Sequence, residues 1–150
     1  LLKYIRTEID HRNIINQFRE LRQNIPLDKR SQIIISGGRI QNSLMLQASQ
    51  ATTQESLIDV LRRSIYFDDV GFDEALMKSK DNQSLDPIAS LLTHKRHALL
   101  KKFAYLNPVS PFPVIHYIEK KVLEIQNLRL LVRGKAIGLS SEVIEAHMDF

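Results

Sequence analysis

From Val114 to Lys135 the chain carries no proline and one glycine, Gly134, while Val114, Ile118, Val122, Ile125, Leu128 and Val132 recur at three- and four-residue steps. That period belongs to an α-helix and to no strand, so the run predicts one long helix with one apolar, core-facing side. The helix start is also marked. Asn107-Pro108-Val109-Ser110-Pro111-Phe112-Pro113 is stiff, because each proline fixes its own φ and keeps its predecessor out of the α region. Ser110 is placed to cap and Pro111 suits a first turn, where a missing N–H costs nothing. Beyond the helix, Gly138 supplies the left-handed residue that helix ends favour, and Ser140 can cap a short helix running to Met148. Leu139 and Ile144 have the spacing of a hydrophobic staple.

The long helix also carries Lys120, Glu124, Asn127 and Arg133, and a similar set occurs earlier. Arg6, Asp10, Asn13, Ile14 and Arg19 stand opposite Lys120, Glu124, Asn127, Leu128 and Arg133 at one offset, 114 (124 minus 10), with Ile9 opposite Leu123 and Phe18 opposite Val132. Positions 6, 10 and 13 share a helix face, as do 120, 124 and 127. Each long helix precedes a shorter one, Asp28 to Ile35 before Gly37-Gly38 and Ser140 to Met148. Two copies of one helical unit explain this economically. An exposed carboxylate–base pair one turn apart contributes only about 0.3–0.5 kcal/mol, so stability of the isolated helix is a weak reason to repeat it. A carboxylate, an asparagine and an arginine can instead tie a long helix to the turn that follows, by pairing with backbone groups at a neighbouring helix end. The expected organisation is a first helical unit at 1–50, connecting helices at 51–106 and a second unit at 107–150.

The connecting stretch reads as further helix. Thr52-x-x-Glu55 is a possible capping box before Leu57, Ile58, Leu61 and Ile65, and Asp86-Pro87 has the form that starts a helix towards Tyr105. Tyr66 to Lys80 is a weaker helical pattern broken at Gly71, and Asp81-Asn82-Gln83-Ser84 reads as a loop. Ile33-Ile34-Ile35 is too short to imply a sheet, and a helix from Asp28 would bury the same residues. The expected class is all-α.

Composition narrows the function. The chain's 150 residues can bury a core, and 43% hydrophobic with 25% charged residues is ordinary for a globular chain. Cysteine is absent, which removes disulfides and thiolate metal sites. No apolar run approaches the roughly 20 residues a bilayer span needs. Leu1 already stands in helical pattern, as in a piece of a longer protein. The five histidines, His11, His94, His97, His116 and His147, have no recognised metal spacing, Gly37-Gly38 lacks the later glycine and lysine of a phosphate loop, and the acidic Asp68-Asp69 and Asp73-Glu74 lack the pattern of a calcium loop. No catalytic residue, cofactor or metal is expected. The net charge of +4 raises nucleic acid as a partner, but the basic residues are dispersed and no aromatic residues interleave with them. His94, His97 and Lys101 form a stripe on one helix, a solvated face or a positive surface for an acidic partner or anionic headgroups.

Pro111-Phe112-Pro113-Val114-Ile115 leading into Tyr117-Ile118, then Lys121, Glu124-Ile125-Gln126-Asn127-Leu128-Arg129 and Gly134-Lys135-Ala136-Ile137-Gly138-Leu139-Ser140, resembles the C-terminal signature of the C subunit of the prokaryotic V/A-type ATPases, which is related to the d subunit of eukaryotic vacuolar ATPases. Glu8-Ile9-Asp10, Asn13-Ile14, Arg19, Gly37-Gly38 and Leu57-Leu61 to Tyr66 are similar to the preceding unit of that family, whose members normally carry a further such unit before it. The resemblance implies a funnel-like, all-helical molecule with pseudo-symmetric repeated units and no catalysis of its own. It implies a place on the cytoplasmic face of the membrane rotor ring, where the molecule receives the foot of the central shaft, with no small-molecule substrate. The other reading of the sequence is a helical adaptor, including a basic nucleic-acid-binding protein.

Overall fold

The computed structural model describes residues 1–148, and among them every regular element is helical. The chain forms two compact units, Leu1–Arg96 and His97–Phe150.

In the first unit, α1 (Leu2–Arg22) leads through Asn24 at φ 51 to a four-residue α2 (Leu27–Arg30) and a 3-10 turn, Ser31–Ile33. The helix expected from Asp28 to Ile35 is therefore cut short, with Ile34 already extended at ψ 121. The cause lies outside the segment. Asn13 on α1 takes both backbone groups of Ile35, its Nδ2 donating to the carbonyl at 2.8 Å and its Oδ1 accepting the N–H at 2.9 Å. A backbone paired in this way cannot extend a helix.

Then come α3 (Asn42–Ser49), α4 (Gln54–Leu61) and α5 (Phe72–Asp81). The capping box of α4 sits one residue later than expected: Thr53 Oγ1 accepts the Ser56 N–H at 3.1 Å, and Ser56 Oγ accepts the Thr53 N–H at 3.2 Å. The serine hydroxyl does what the glutamate expected at position 55 would have done. Gly71, at φ 82, supplies the turn into α5, and Arg62 links the two helices by pairing with Asp69 at 3.0 Å and Asp73 at 2.7 Å. The core of this unit joins Ile14 and Phe18 of α1 to Met45 and Ala48, Leu57, Ile58 and Leu61, Phe72 and Leu76, and Ile88 and Leu92 of the next helix. Each helix contributes residues at three- or four-step spacing, as one buried side requires. Helix α6 (Asp86–Leu106) starts at the expected Asp86-Pro87.

In the second unit, α7 (Phe112–Ala136) is capped from Pro111, with Ser110 Oγ accepting the Phe112 N–H at 3.3 Å, and α8 (Ser141–Ala146) is capped by Ser140, which accepts the Val143 N–H at 3.4 Å. One sequence expectation is overturned here. Val114, Ile118, Val122, Ile125, Leu128 and Val132, expected to face a core, are all 45% or more exposed. Helical periodicity gives the apolar side of a helix but not whether anything covers it.

Candidate functional site

The closest approach to a built polar site is a ladder along α1. Asp10, Asn13 and Gln17, one to two turns apart, lie on one side of the helix and are 4%, 2% and 3% exposed. Asp10 accepts the Arg39 N–H at 2.8 Å and the Ile40 N–H at 3.2 Å, Asn13 holds Ile35 as described, and Gln17 Nε2 donates to the Met45 carbonyl at 3.0 Å. Three side chains thus fasten the returning segment 35–45 to α1, leaving its apolar residues Ile40 and Met45 in the core. Burial pushes the Asp10 carboxyl above its ordinary value, against the downward pull of the two N–H donors and the Arg39 charge. Gly38 completes the ladder, since a Cβ there would overlap Oδ1 of Asp10.

Gln17 and Gly38 are the members that the sequence pattern does not single out. Gln17 is visible in it as the next residue on the face of positions 10 and 13, whereas Gly38 has there only the meaning of a helix stop. Arg6 and Arg19 do not join the ladder. Arg6 is exposed and lines a cleft with Lys3, Arg39 and Tyr66, where the Arg39 guanidinium lies 4.3 Å from the tyrosine ring centre. Arg19 is exposed beside a second cleft with Glu8, His11, Arg12 and Arg96. There Glu8 pairs with Arg12 at 3.2 Å and Arg96 at 3.4 Å, and burial lowers the His11 pKa.

The second polar set has other surroundings. Glu124 is exposed and pairs along its own helix with Lys121 at 2.6 Å, Asn127 is half-buried, and Lys120 and Arg133 are exposed. Of the positive stripe, His94 and Lys101 are exposed, while His97 is half-buried with its Nε2 3.5 Å from Glu119. Burial first, then the nearby Lys120, His97 and Lys101, lower the pKa of His116.

Although the polar sets differ in setting, the helix ends match at the 114 offset. Helix α1 ends at Arg22 and α7 at Ala136, with left-handed residues at Asn24 and Gly138 and N-caps at Pro26 and Ser140. Three backbone bonds recur: Gln23 to Arg19 (2.9 Å) as Ile137 to Arg133 (3.1 Å), Asn24 to Leu21 (3.2 Å) as Gly138 to Lys135 (3.1 Å), and Ile25 to Glu20 (3.0 Å) as Leu139 to Gly134 (2.9 Å). The last is the six-residue bond of a Schellman turn. The contact that follows is made by different chemistry in the two places. Buried Glu20 lies near Arg30, whose guanidinium donates to the Ile25 and Ala51 carbonyls at 2.7 and 2.9 Å. At the equivalent positions, Gly134 lets Ile144 approach so closely that a Cβ on the glycine would sit 2.7 Å from Ile144 Cγ1.

Among the described residues no group of three His, Asp or Glu could hold a metal ion, and no helix is long and apolar enough to cross a membrane. The fold and its polar ladder define a helical protein in which the buried Asp10, Asn13 and Gln17 bond to the backbone of residues 35–45. The sequence profile of the ATP synthase (C/AC39) subunit family matches residues 1–147, and the chain belongs to that family. It is similar to the A-type ATP synthase C subunit of Methanosarcina barkeri, 32% identical over 96% of this chain and 38% of the relative. It is also similar to those of Haloferax volcanii, 32% over 97% and 41%, and Methanococcoides burtonii, 28% over 95% and 39%. The chain thus spans about two fifths of the length of the relatives it matches. No solved structure matches it.

Proposed function

We propose that this chain is part of the non-catalytic central-stalk subunit of a V/A-type rotary ATPase, a socket on the cytoplasmic side of the membrane rotor ring that receives the foot of the central shaft. Its role is mechanical coupling in ATP-driven ion transport or ATP synthesis, and its membrane association runs through the ring. Family membership across nearly the whole chain is the observation that carries this reading. The repeated helix end and the buried ladder support it, because a part that transmits torque needs long helices fastened to their neighbours at fixed points. Hydrogen bonds from buried side chains to backbone provide that fastening in a low-dielectric setting, where breaking them is costly.

The test is to mix the full-length protein with the central-shaft subunit and with detergent-solubilised rotor ring. Co-migration with both at micromolar concentration is expected; failure with either would overturn the socket.

A further inference from the structure

A cleft of about 290 Å³ in the first unit is lined by Leu2, Lys3 and Arg6 of α1, by Gly38 and Arg39 of the returning segment, and by Tyr66. Lys3, Arg6 and Arg39 bring three positive charges to it, and no carboxylate lines it. Elsewhere in this unit the cations are paired: Arg12, Arg62, Lys78, Lys95 and Arg96 each meet an aspartate or a glutamate. Among the described residues Arg6 and Arg39 make no such pair.

Arg39 is held at both ends. Its backbone N–H donates to Asp10 at 2.8 Å, and its guanidinium lies 4.3 Å from the Tyr66 ring centre. A guanidinium stacked on a ring keeps its planar edge of N–H donors available. Asp10, whose carboxyl feels the Arg39 charge, does not open on the cleft: it is 4% exposed and accepts the N–H groups of Arg39 and Ile40. The N–H of Gly38 has no acceptor among the described residues. Gathered cations raise the local positive potential, and an anion that enters relieves their repulsion. Guanidinium forks and backbone N–H groups are the donors that phosphate and carboxylate oxygens take.

Charge and size choose between those two anions. A single carboxylate would leave most of the charge unbalanced, whereas a phosphate monoester carries about −1.5 to −2 at pH 7. Small-molecule sites begin at roughly 300 Å³, so the cleft suits a phosphate with a short organic tail. We propose that Lys3, Arg6, Arg39 and the Gly38 N–H form a binding site for a phosphate monoester, with Tyr66 positioning the Arg39 guanidinium. The site stands apart from the coupling role, because its test needs no other ATPase component.

The test is isothermal titration calorimetry of the full-length protein with glycerol 3-phosphate at fixed ionic strength. Saturable binding is expected. Arg6→Gln and Arg39→Gln should each weaken it at least about tenfold, the scale of a lost hydrogen bond between charged groups. Arg39→Lys keeps the charge without the fork and should fall between. Lys29→Gln removes an exposed cation of α2 and should change the affinity less than about twofold, since solvent screens it. Arg6 is exposed, so its substitution should leave the thermal melt unchanged. A second arm finds what carries the phosphate, by sedimentation with phosphatidylcholine vesicles containing phosphatidic acid, the same ester on a lipid. Binding of the soluble ester makes the ligand a small molecule; binding of these vesicles alone, lost in Arg6→Gln, makes it a lipid headgroup. Binding of neither, affinities unchanged in Arg6→Gln and Arg39→Gln, or equal binding of acetate would each overturn the site.

Discussion

A methyl group at Gly38 would occupy the space of the Asp10 carboxylate, so Gly38→Ala should cost about 1–3 kcal/mol by freeing the N–H groups of Arg39 and Ile40. Urea unfolding followed by circular dichroism measures this, and a loss comparable to that of Asp10→Ala, with no further loss in the double variant, would show that both act through one clamp. Asp10 also sets a pH dependence. Its folded pKa is raised above 3.8, mainly by burial, so the folded state keeps a proton that the unfolded chain has already released. Stability contributed by this group therefore falls as pH rises from the unfolded value through the folded one, and is flat above it. Glu20, raised from 4.5 by burial against the pull of Arg30, acts in the same direction. In the double variant Asp10→Asn with Glu20→Gln, the Tm measured as pH rises from about 4, the unfolded carboxyl range, should lose this downward component. An unchanged profile would show that neither carboxyl titrates in that range.

At the scale of elements, the two helix ends share a backbone and differ in how the following short helix is held. Alanine at Gly134 would gain about 0.5–1 kcal/mol in helix propensity, but its Cβ would press on Ile144, buried to 2% exposure, and overpacking costs about 1–3 kcal/mol. The clash should win. Gly134→Ala should lower stability, and adding Ile144→Val should restore part of it; thermal melts of the four-member cycle read the coupling. In the first unit, Arg30→Met removes the donors to the Ile25 and Ala51 carbonyls. It should cost about 1–3 kcal/mol, the penalty for leaving two buried carbonyls without their donors.

For the whole molecule, the contrast lies between a first unit with a continuous core through α1 and α3–α6 and a second in which α7 buries only Phe112 and Gly134. Local opening requires least free energy where few side chains are buried. Amide exchange in residues 114–132 of this chain should therefore be at least about tenfold faster than in residues 10–20, by mass spectrometry at neutral pH. Equal protection would mean that the second unit is stabilised by something other than burial.

The all-helical class, the long helix after Pro111 with its stop at Gly138, the start of α6 at Asp86-Pro87 and the family were legible in the sequence, because periodicity, prolines and turn residues act over a few neighbouring positions; the short α3 (Asn42–Ser49) and the turn at Asn24 were not read from it. It also marked Asp10 and Asn13 as a pair. The identity of their partners came only with tertiary structure, since Arg39, Ile40 and Ile35 are 22 to 30 positions away and backbone N–H groups leave no signature in residue type. The uncovered side of α7 was decided in the same way. An apolar stripe states that water is an unfavourable neighbour, but which surface replaces the water depends on packing between distant segments, and that is fixed only in three dimensions.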